Sequence, residues 1–130
     1  MYRASRAFVR ETSQGLSQGQ CHTAANVWML KANLAYFRRG EAENPRFFPR
    51  LGGQPALKGC RVLDIGCGHG SLCLYIAARG AASVIGIDIN EELIRFAAYN
   101  LAQNYPQFAQ ICEFRCREIS ALPENNFDII

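Results

Sequence analysis

The feature that most constrains this chain is a short apolar run that ends in three closely spaced glycines. Residues 62–65 (VLDI) have the composition of a β-strand, and residues 66–70 (GCGHG) follow them directly. Glycine is required where a backbone turns sharply or lies against a ligand without an intervening Cβ. Because a helical pattern resumes at Ser71, the sequence predicts a ligand-facing loop that leads into a helix N-terminus, a position that favours anionic groups.

Strands and helices alternate from this loop to the last residue. The predicted strands are residues 61–65, 83–87 and 111–116, with a fourth beginning at 127–130, and the predicted helices are 71–79 and 91–105. Gly80 is expected to end the first helix, and Asn90 to cap the second. The apolar stripe of the second helix comprises Leu93, Ile94, Ala97, Ala98 and Leu101. Such alternation predicts an α/β fold with a parallel sheet and right-handed crossovers.

The segment before the first strand divides into two parts. Residues 1–22 are polar and are expected to form a flexible leader; an untargeted extension is favoured there over an organelle transit peptide. Residues 23–57 are interpreted as a helical cap segment, with a helix over 24–37 that ends before Gly40. Prolines and glycines in residues 41–55 predict a connection with one short helical turn. The ligand-binding domain is assigned to residues 58–130.

Composition restricts the possible partners and cellular location. The net charge is +3, with no basic cluster long enough to indicate a nucleic-acid partner. No apolar run approaches the length needed to span a membrane. The six cysteines follow no zinc-binding spacing. Thiols used as small apolar residues are typical of a reducing compartment, so we expect a cytoplasmic protein without a metal.

A second carboxylate defines the ligand more closely. Asp88 ends the second strand, where an acid can accept hydrogen bonds from both hydroxyls of a ribose. A dinucleotide loop would have a third glycine where this chain has Ser71, and Asp64 would repel a pyrophosphate. A cationic amino group and a sulfonium would instead be attracted. These residues favour S-adenosylmethionine, which carries both groups and a ribose.

The motifs resemble those of class I S-adenosylmethionine-dependent methyltransferases. Residues 63–70 are similar to motif I of that family and residues 86–90 to its next motif; 113–123 and 127–130 resemble its third-strand and fourth-strand regions. The resemblance covers residues 58–130 and implies a Rossmann-like three-layer α/β/α sandwich. The sheet of the family has seven strands in the order 3-2-1-4-5-7-6. This chain is expected to hold a partial parallel sheet, in the order 3-2-1-4, truncated after strand 4.

By this resemblance, the loop would hold the methionyl part of the cofactor. The backbone of Gly66, Cys67 and Gly68 would line it, Gly70 would complete the turn, and Asp64 would help to hold the amino group.

The same resemblance implies an adenosine site. Asp88 would bind the ribose hydroxyls, and Ile89 would pack on the adenine. Glu118 would face the adenine amino group, although the family more often has an Asp after a Gly where this chain has Glu118 after Arg117. The main chain of Ile119 would meet the adenine edge.

The predicted function is methyl transfer from S-adenosylmethionine to a small-molecule acceptor. An NAD-dependent oxidoreductase and a non-catalytic S-adenosylmethionine-binding module are the alternatives. No residue is assigned as a catalytic base, and His69 is interpreted as loop structure rather than as a catalyst. Acceptor-binding residues of the family commonly follow strand 4, so the 130 residues alone are expected to be inactive.

Overall fold

The structure, a computed structural model, describes the backbone of residues 24–130 and the side chains of residues 30–130. The predicted leader, residues 1–22, lies outside the described residues. The elements are α1 (Ala24–Arg50), β1 (Arg61–Ile65), α2 (Ser71–Ala77), β2 (Ser83–Asp88), α3 (Glu91–Asn104) and β3 (Cys112–Cys116), with 3₁₀ turns at Pro106–Phe108 and Ile119–Ala121. Strand β1 matches its predicted bounds, and β2 and β3 differ from theirs by one residue. None of the described helices is both long and apolar enough to cross a membrane.

The three strands form a parallel sheet with β2 at its centre. Val84 of β2 pairs with Val62 of β1 on one side and with Cys112 of β3 on the other. On the opposite edge of β1, Ile129 makes a single parallel bridge to Val62, and the Leu63 N–H donates to the Ile129 carbonyl at 3.0 Å. The predicted order 3-2-1 is therefore present, while the fourth strand is represented by one bridge.

The described helices all lie on one face of the sheet. Residues from α1, α2 and α3 share a single core with the inward side chains of the strands, Val62, Val84 and Cys112. The opposite face carries Leu63, Ile85 and Ile87 and is covered by Leu122 and Phe127. Residues 24–130 thus hold the sheet and one of the two helical layers of the expected α/β/α fold. Two right-handed crossovers that advance in the same direction across a sheet must place their helices on the same face.

Helix α1 is longer than the sequence predicts. It runs without interruption through Gly40 and through two prolines, Pro45 and Pro49, to Arg50. The expected end before Gly40 and the connecting segment at residues 41–55 are therefore wrong. A Cβ on Gly40 would collide with the Ser71 hydroxyl. This glycine allows α1 to approach the start of α2 closely, and it does not end the helix.

Burial along one side of α1 explains why the prolines are tolerated. Leu34, Phe37, Asn44 and Phe48 recur at helical spacing and are buried. The Asn44 side chain donates to the Ser71 carbonyl at 2.9 Å, which ties α1 to α2. A proline inside a helix costs about 3 kcal/mol, whereas burial of each large apolar side chain contributes about 1.5–3 kcal/mol. Tertiary packing therefore outweighs the local helix-breaking signal.

Helix α3 begins as predicted but buries a different set of residues. The Asn90 side chain accepts hydrogen bonds from the backbone of Glu92 at 3.0 Å and of Leu93 at 3.3 Å, which confirms the predicted N-cap. Phe96 is buried, although the apolar stripe omitted it, and Ala98, which the stripe included, is exposed. The error arises because the helix faces both the sheet and α1, so its buried side is wider than the predicted stripe.

We predict that Gly70→Ala destabilises the fold more than Gly59→Ala. Both glycines have left-handed φ angles, 77° and 78°, so each substitution should cost about 1–2 kcal/mol in backbone strain. Only at Gly70 would the new Cβ also collide with the Phe114 ring, while at Gly59 it would meet no atom within 4 Å. That overlap should add about 1–3 kcal/mol. Denaturant unfolding of both variants checks this prediction, and equal losses would contradict it.

Candidate functional site

The glycine loop after β1 is anchored to the end of β2 through its backbone. The N–H groups of Gly66 and Cys67 both donate to the Ile87 carbonyl, at 2.8 and 3.0 Å. Gly66, Gly68 and Gly70 have φ angles of 74°, 53° and 77°. All three lie in the left-handed region that side chains disfavour, so the predicted turn needs glycine at each position.

The carboxylate of Asp88 faces this loop. One oxygen, Oδ2, accepts a hydrogen bond from the Gly68 N–H at 2.9 Å, and the other, Oδ1, accepts one from the Asn90 N–H at 2.9 Å. Two fixed donors therefore hold the side chain at the mouth of the loop. Each carboxylate oxygen can accept more than one hydrogen bond, so both oxygens retain capacity for ligand donors.

A cavity of about 420 Å³ opens at the carboxyl ends of β1 and β2. Five of the predicted site residues line it: Gly66, Asp88, Ile89, Glu118 and Ile119. A Cβ on Gly66 would meet no atom within 4 Å, so this glycine leaves open space beside the cavity. The structure thus brings together the residues of the predicted adenosine site with the first glycine of the loop.

Three exposed isoleucines lie in the same cavity. Ile65, Ile89 and Ile119 are 48%, 76% and 53% exposed, and all three line the cavity. Isolated exposed apolar residues are common on protein surfaces, but a group of them in one concave site is typical of ligand binding. The cavity therefore combines an apolar surface with the Asp88 carboxylate.

Asp64 lies beneath the loop rather than in the wall of the cavity. The Cys73 thiol donates to its Oδ2 atom at 3.2 Å. Burial raises the pKa of Asp64, the hydrogen bond from Cys73 lowers it, and the negative charge of Asp88 raises it. An approaching cation would relieve the repulsion between the two carboxylates, so the site favours a positively charged group.

The other three residues of the predicted loop site do not line the cavity either. Gly70 is buried against Phe114 and Ala97, where it permits close packing. Gly68 contributes its N–H to Asp88. Cys67 directs its sulfur toward Gly86 of β2, where a Cβ would stand 2.9 Å from that sulfur.

His69 joins the loop to α1, a link that the sequence did not reveal. Its ring is buried, stacks on Tyr36 with a centroid distance of 4.3 Å, and places Nε2 3.3 Å from Asn33 Oδ1. Asn33 in turn donates to Glu92 at the start of α3. These contacts tie the loop to α1, and the interpretation of His69 as loop structure stays a prediction. No local signal in residues 24–37 identifies Asn33 or Tyr36 as its neighbours.

The cavity also contains residues that sequence reasoning missed. Arg117 and Ser120 line it, and the Arg117 N–H donates to the Asp88 carbonyl at 2.9 Å. The sequence interpretation stopped at the resemblance of Glu118 and Ile119 to family positions. The register between Asp88 and Cys116 brings the residues after β3 to the same edge, and sequence alone did not specify that register.

With this geometry in place, the relatives of the chain can be compared. A family model described as a methyltransferase domain matches residues 56–130, more than half of the chain. The chain belongs to this methyltransferase-domain family. The resemblance to class I S-adenosylmethionine-dependent methyltransferases is confirmed, and S-adenosylmethionine is the cofactor of that class.

Curated relatives differ in the acceptor that their names describe. A ubiquinone biosynthesis O-methyltransferase of Neisseria meningitidis is 39% identical over 67% of this chain and 37% of its own length. A ribosomal protein L11 methyltransferase of Xanthomonas campestris is 39% identical over 77% of this chain and 34% of its length. A protein arginine N-methyltransferase of Dictyostelium discoideum is 35% identical over 84% of this chain and 30% of its own length. The chain thus spans about a third of the length of these relatives.

A solved structure supports the fold. Magnesium protoporphyrin IX methyltransferase from Synechocystis, with bound S-adenosylhomocysteine, superposes with a TM-score of 0.52 at 22% identity. The match covers 97% of this chain and 52% of the other. This confirms the predicted Rossmann-like fold class.

We predict that His69 titrates below its ordinary pKa of 6.5. Burial lowers the pKa of the ring, and the charges of Asp88 and Glu92 oppose this effect without reversing it. The unfolded chain therefore binds the proton more readily, and the free energy of unfolding should fall as the pH drops through about 6.5. An NMR titration of the imidazole signals, with His69→Gln to assign them, measures this pKa. A pKa of 6.5 or above would contradict the prediction.

Proposed function

We propose that the chain binds S-adenosylmethionine in the cavity beside Asp88 and serves a methyltransferase that acts on a small-molecule acceptor. The observation that carries this proposal is the Asp88 carboxylate, which two backbone donors hold against the glycine loop at the edge of an apolar cavity. The mild net charge of +3 supports a small acceptor over a nucleic acid.

The residues present suit an adenosyl ligand. Asp88 would accept hydrogen bonds from the ribose hydroxyls with the capacity left on its two oxygens. Ile89 and Ile119, both exposed in the cavity, would cover the two faces of the adenine. Glu118 lines the same cavity and would accept a hydrogen bond from the adenine amino group.

The methionyl end would lie along the loop. Gly66 leaves open space there because no atom lies within 4 Å of its missing Cβ. The carboxylates of Asp64 and Asp88 make this region negative, which favours the amino group and the sulfonium over a pyrophosphate. Gly66, Cys67 and Gly68 would contribute backbone contacts, whereas Gly70 would act through packing.

In this proposal the chain contributes to methyl transfer by orienting the bound cofactor. The bound cofactor supplies a methyl group on a positively charged sulfur, already activated for displacement. Asp88 would fix the ribose, and the isoleucines would fix the adenine and exclude water from it. Alignment of this kind lowers a reaction barrier by about 7–11 kcal/mol. We assign no residue of the chain as a proton acceptor.

We place the protein in the cytoplasm and divide the chain into a leader (1–22), a cap segment (23–57) and a binding domain (58–130). This location rests on the sequence, whose six cysteines follow no zinc-binding spacing and serve as small apolar residues, as is typical of a reducing compartment. Helix α1 supports the assignment of a cap segment, because its side chains Asn33 and Tyr36 contact His69 of the glycine loop. That contact supports a link between the cap segment and the glycine loop.

We predict that Asp88→Ala weakens S-adenosylmethionine binding by about tenfold to a hundredfold. The substitution removes the charged acceptor of the ribose hydroxyls, which should cost about 1.5–3 kcal/mol of binding free energy in total. Asp128→Ala is the matched control, because Asp128 also accepts a backbone N–H, that of Arg61, but at the opposite end of the sheet. Isothermal titration calorimetry of the protein and both variants measures the affinities.

Unchanged affinity in Asp88→Ala, or an equal loss in Asp128→Ala, would contradict the ribose role. A parallel titration with NADH addresses the oxidoreductase alternative. Saturable NADH binding without S-adenosylmethionine binding would overturn the proposed function. Binding of S-adenosylmethionine without methyl transfer to any acceptor by the whole protein would instead favour a non-catalytic binding module.

A further inference from the structure

Two thiols lie against each other beneath the glycine loop. Cys67 belongs to the loop and Cys73 to the first turn of α2. Their sulfurs each lie 2.9 Å from the point where a Cβ on Gly86 would stand, so they are at most twice that distance apart. Gly86 itself makes room for both sulfurs, because any side chain there would displace them.

The two cysteines differ in exposure. Cys73 is completely buried, whereas Cys67 is partly exposed. The hydrogen bond with Cys67 is the largest cause that raises the pKa of Cys73; burial and the charge of Asp64 add to it. Cys73 therefore stays protonated, and Cys67 is the more exposed member of the pair.

A carboxylate completes the cluster. The Cys73 thiol donates to Asp64 Oδ2 at 3.2 Å, so a base is in place to take its proton. Burial raises the pKa of this carboxyl group, which makes its ionised form a stronger proton acceptor. Reactive dithiol sites combine these parts: an accessible sulfur, a neighbouring resolving sulfur and a path for the proton.

We propose that Cys67 and Cys73 form a peroxide-sensitive dithiol, which closes to a disulfide beneath the loop. The Cys67 thiol would lose its proton to solvent, and the thiolate would attack a hydroperoxide and break its O–O bond, giving a sulfenic acid and a hydroxide or alkoxide. The Cys73 sulfur would then attack the Cys67 sulfur, pass its proton to Asp64 and release hydroxide. The two thiols lose two electrons in total, and the peroxide gains them.

Local geometry makes this closure feasible. Cys67 lies on the loop rather than in a strand or a helix, and its side chain would rotate to bring the two sulfurs together. Its backbone stays in place through the N–H bond to Ile87 and the carbonyl bond from Gly70. Disulfide formation removes the Cys73 thiol hydrogen, so Asp64 would lose the hydrogen bond that lowers its pKa.

The sequence offers a direct test. Residues 62–79 form one tryptic peptide, since no Lys or Arg lies between Arg61 and Arg79, and it holds both cysteines of the pair and no other. After treatment with limiting hydrogen peroxide, denaturation and alkylation, we expect this peptide without alkyl groups and lighter by two hydrogen atoms. Dithiothreitol should restore both alkylation sites. A fully alkylated peptide, or a sulfinic acid on Cys67, would overturn the proposal.

Two substitutions sharpen the assignment. Cys73→Ser should abolish the internal disulfide, whereas Cys112→Ser should leave it intact. Cys112 is a suitable control because burial raises its pKa to about 12 and its sulfur also lies near α2, 3.9 Å from the Cys73 carbonyl. A disulfide that joins peptide 62–79 to the Cys112 peptide would contradict the pairing. The unsubstituted protein alone decides this point if a variant does not fold.

An effect on the cofactor rests on the proposed function. If Asp64 helps to hold the amino group, the oxidised protein should bind S-adenosylmethionine about tenfold more weakly, the effect of losing one hydrogen bond to a charged group. Titration of the reduced protein separates the two ideas. Absence of binding in the reduced state would contradict the proposed function, whereas equal affinity in both states would contradict only the coupling.

Discussion

The site depends on one set of interactions, the hydrogen bonds that the Asp88 carboxylate accepts from two backbone N–H groups. One donor, Gly68, belongs to the loop after β1, and the other, Asn90, caps the helix after β2. The same side chain therefore fixes the loop against the sheet edge and remains at the mouth of the cavity. Because charge-assisted hydrogen bonds are stronger than neutral ones, this arrangement can hold a strained loop and still present oxygens to a ligand.

The glycines of the loop serve different purposes although they share a left-handed backbone. Gly66 leaves space beside the cavity, Gly68 donates to Asp88, and Gly70 allows Phe114 and Ala97 to pack tightly. One motif of regularly spaced glycines thus provides open space beside the cavity and also allows close packing in the core. The spacing of the glycines in the sequence therefore predicts the turn but does not show which glycine lies beside the cavity.

Local patterns predicted the sheet and the capped helix well. Alternation of apolar runs and helical stretches located β1, β2 and β3, and Asn90 was identified as a cap because its side chain satisfies backbone donors locally. Helix α1 was predicted poorly, since Gly40 and the prolines were interpreted as helix ends. Contacts with residues far along the chain, such as Asn44 with Ser71 and Phe37 with Tyr105, decide that helix, and a local pattern contains no information about them.

The same distinction between local signals and long-range contacts applies to the residues of the site. Asp64, Asp88 and the glycines could be proposed from the sequence because they lie at strand ends, where local patterns are informative. Arg117 and Ser120 reach the cavity only through the register of β3, and His69 meets Tyr36 only because α1 folds across the loop. The match over residues 56–130 shows the family and therefore the type of reaction. The shared motifs do not identify the methyl acceptor.

The central claim is that Asp88 recognises the ribose of S-adenosylmethionine. The most direct measurement compares, by calorimetry, the affinity of the protein for this cofactor and for its 2′,3′-dideoxy analogue. The account predicts that the analogue binds at least about tenfold more weakly, since the hydrogen bonds to a charged acceptor are lost. Equal affinity for the two ligands would contradict it.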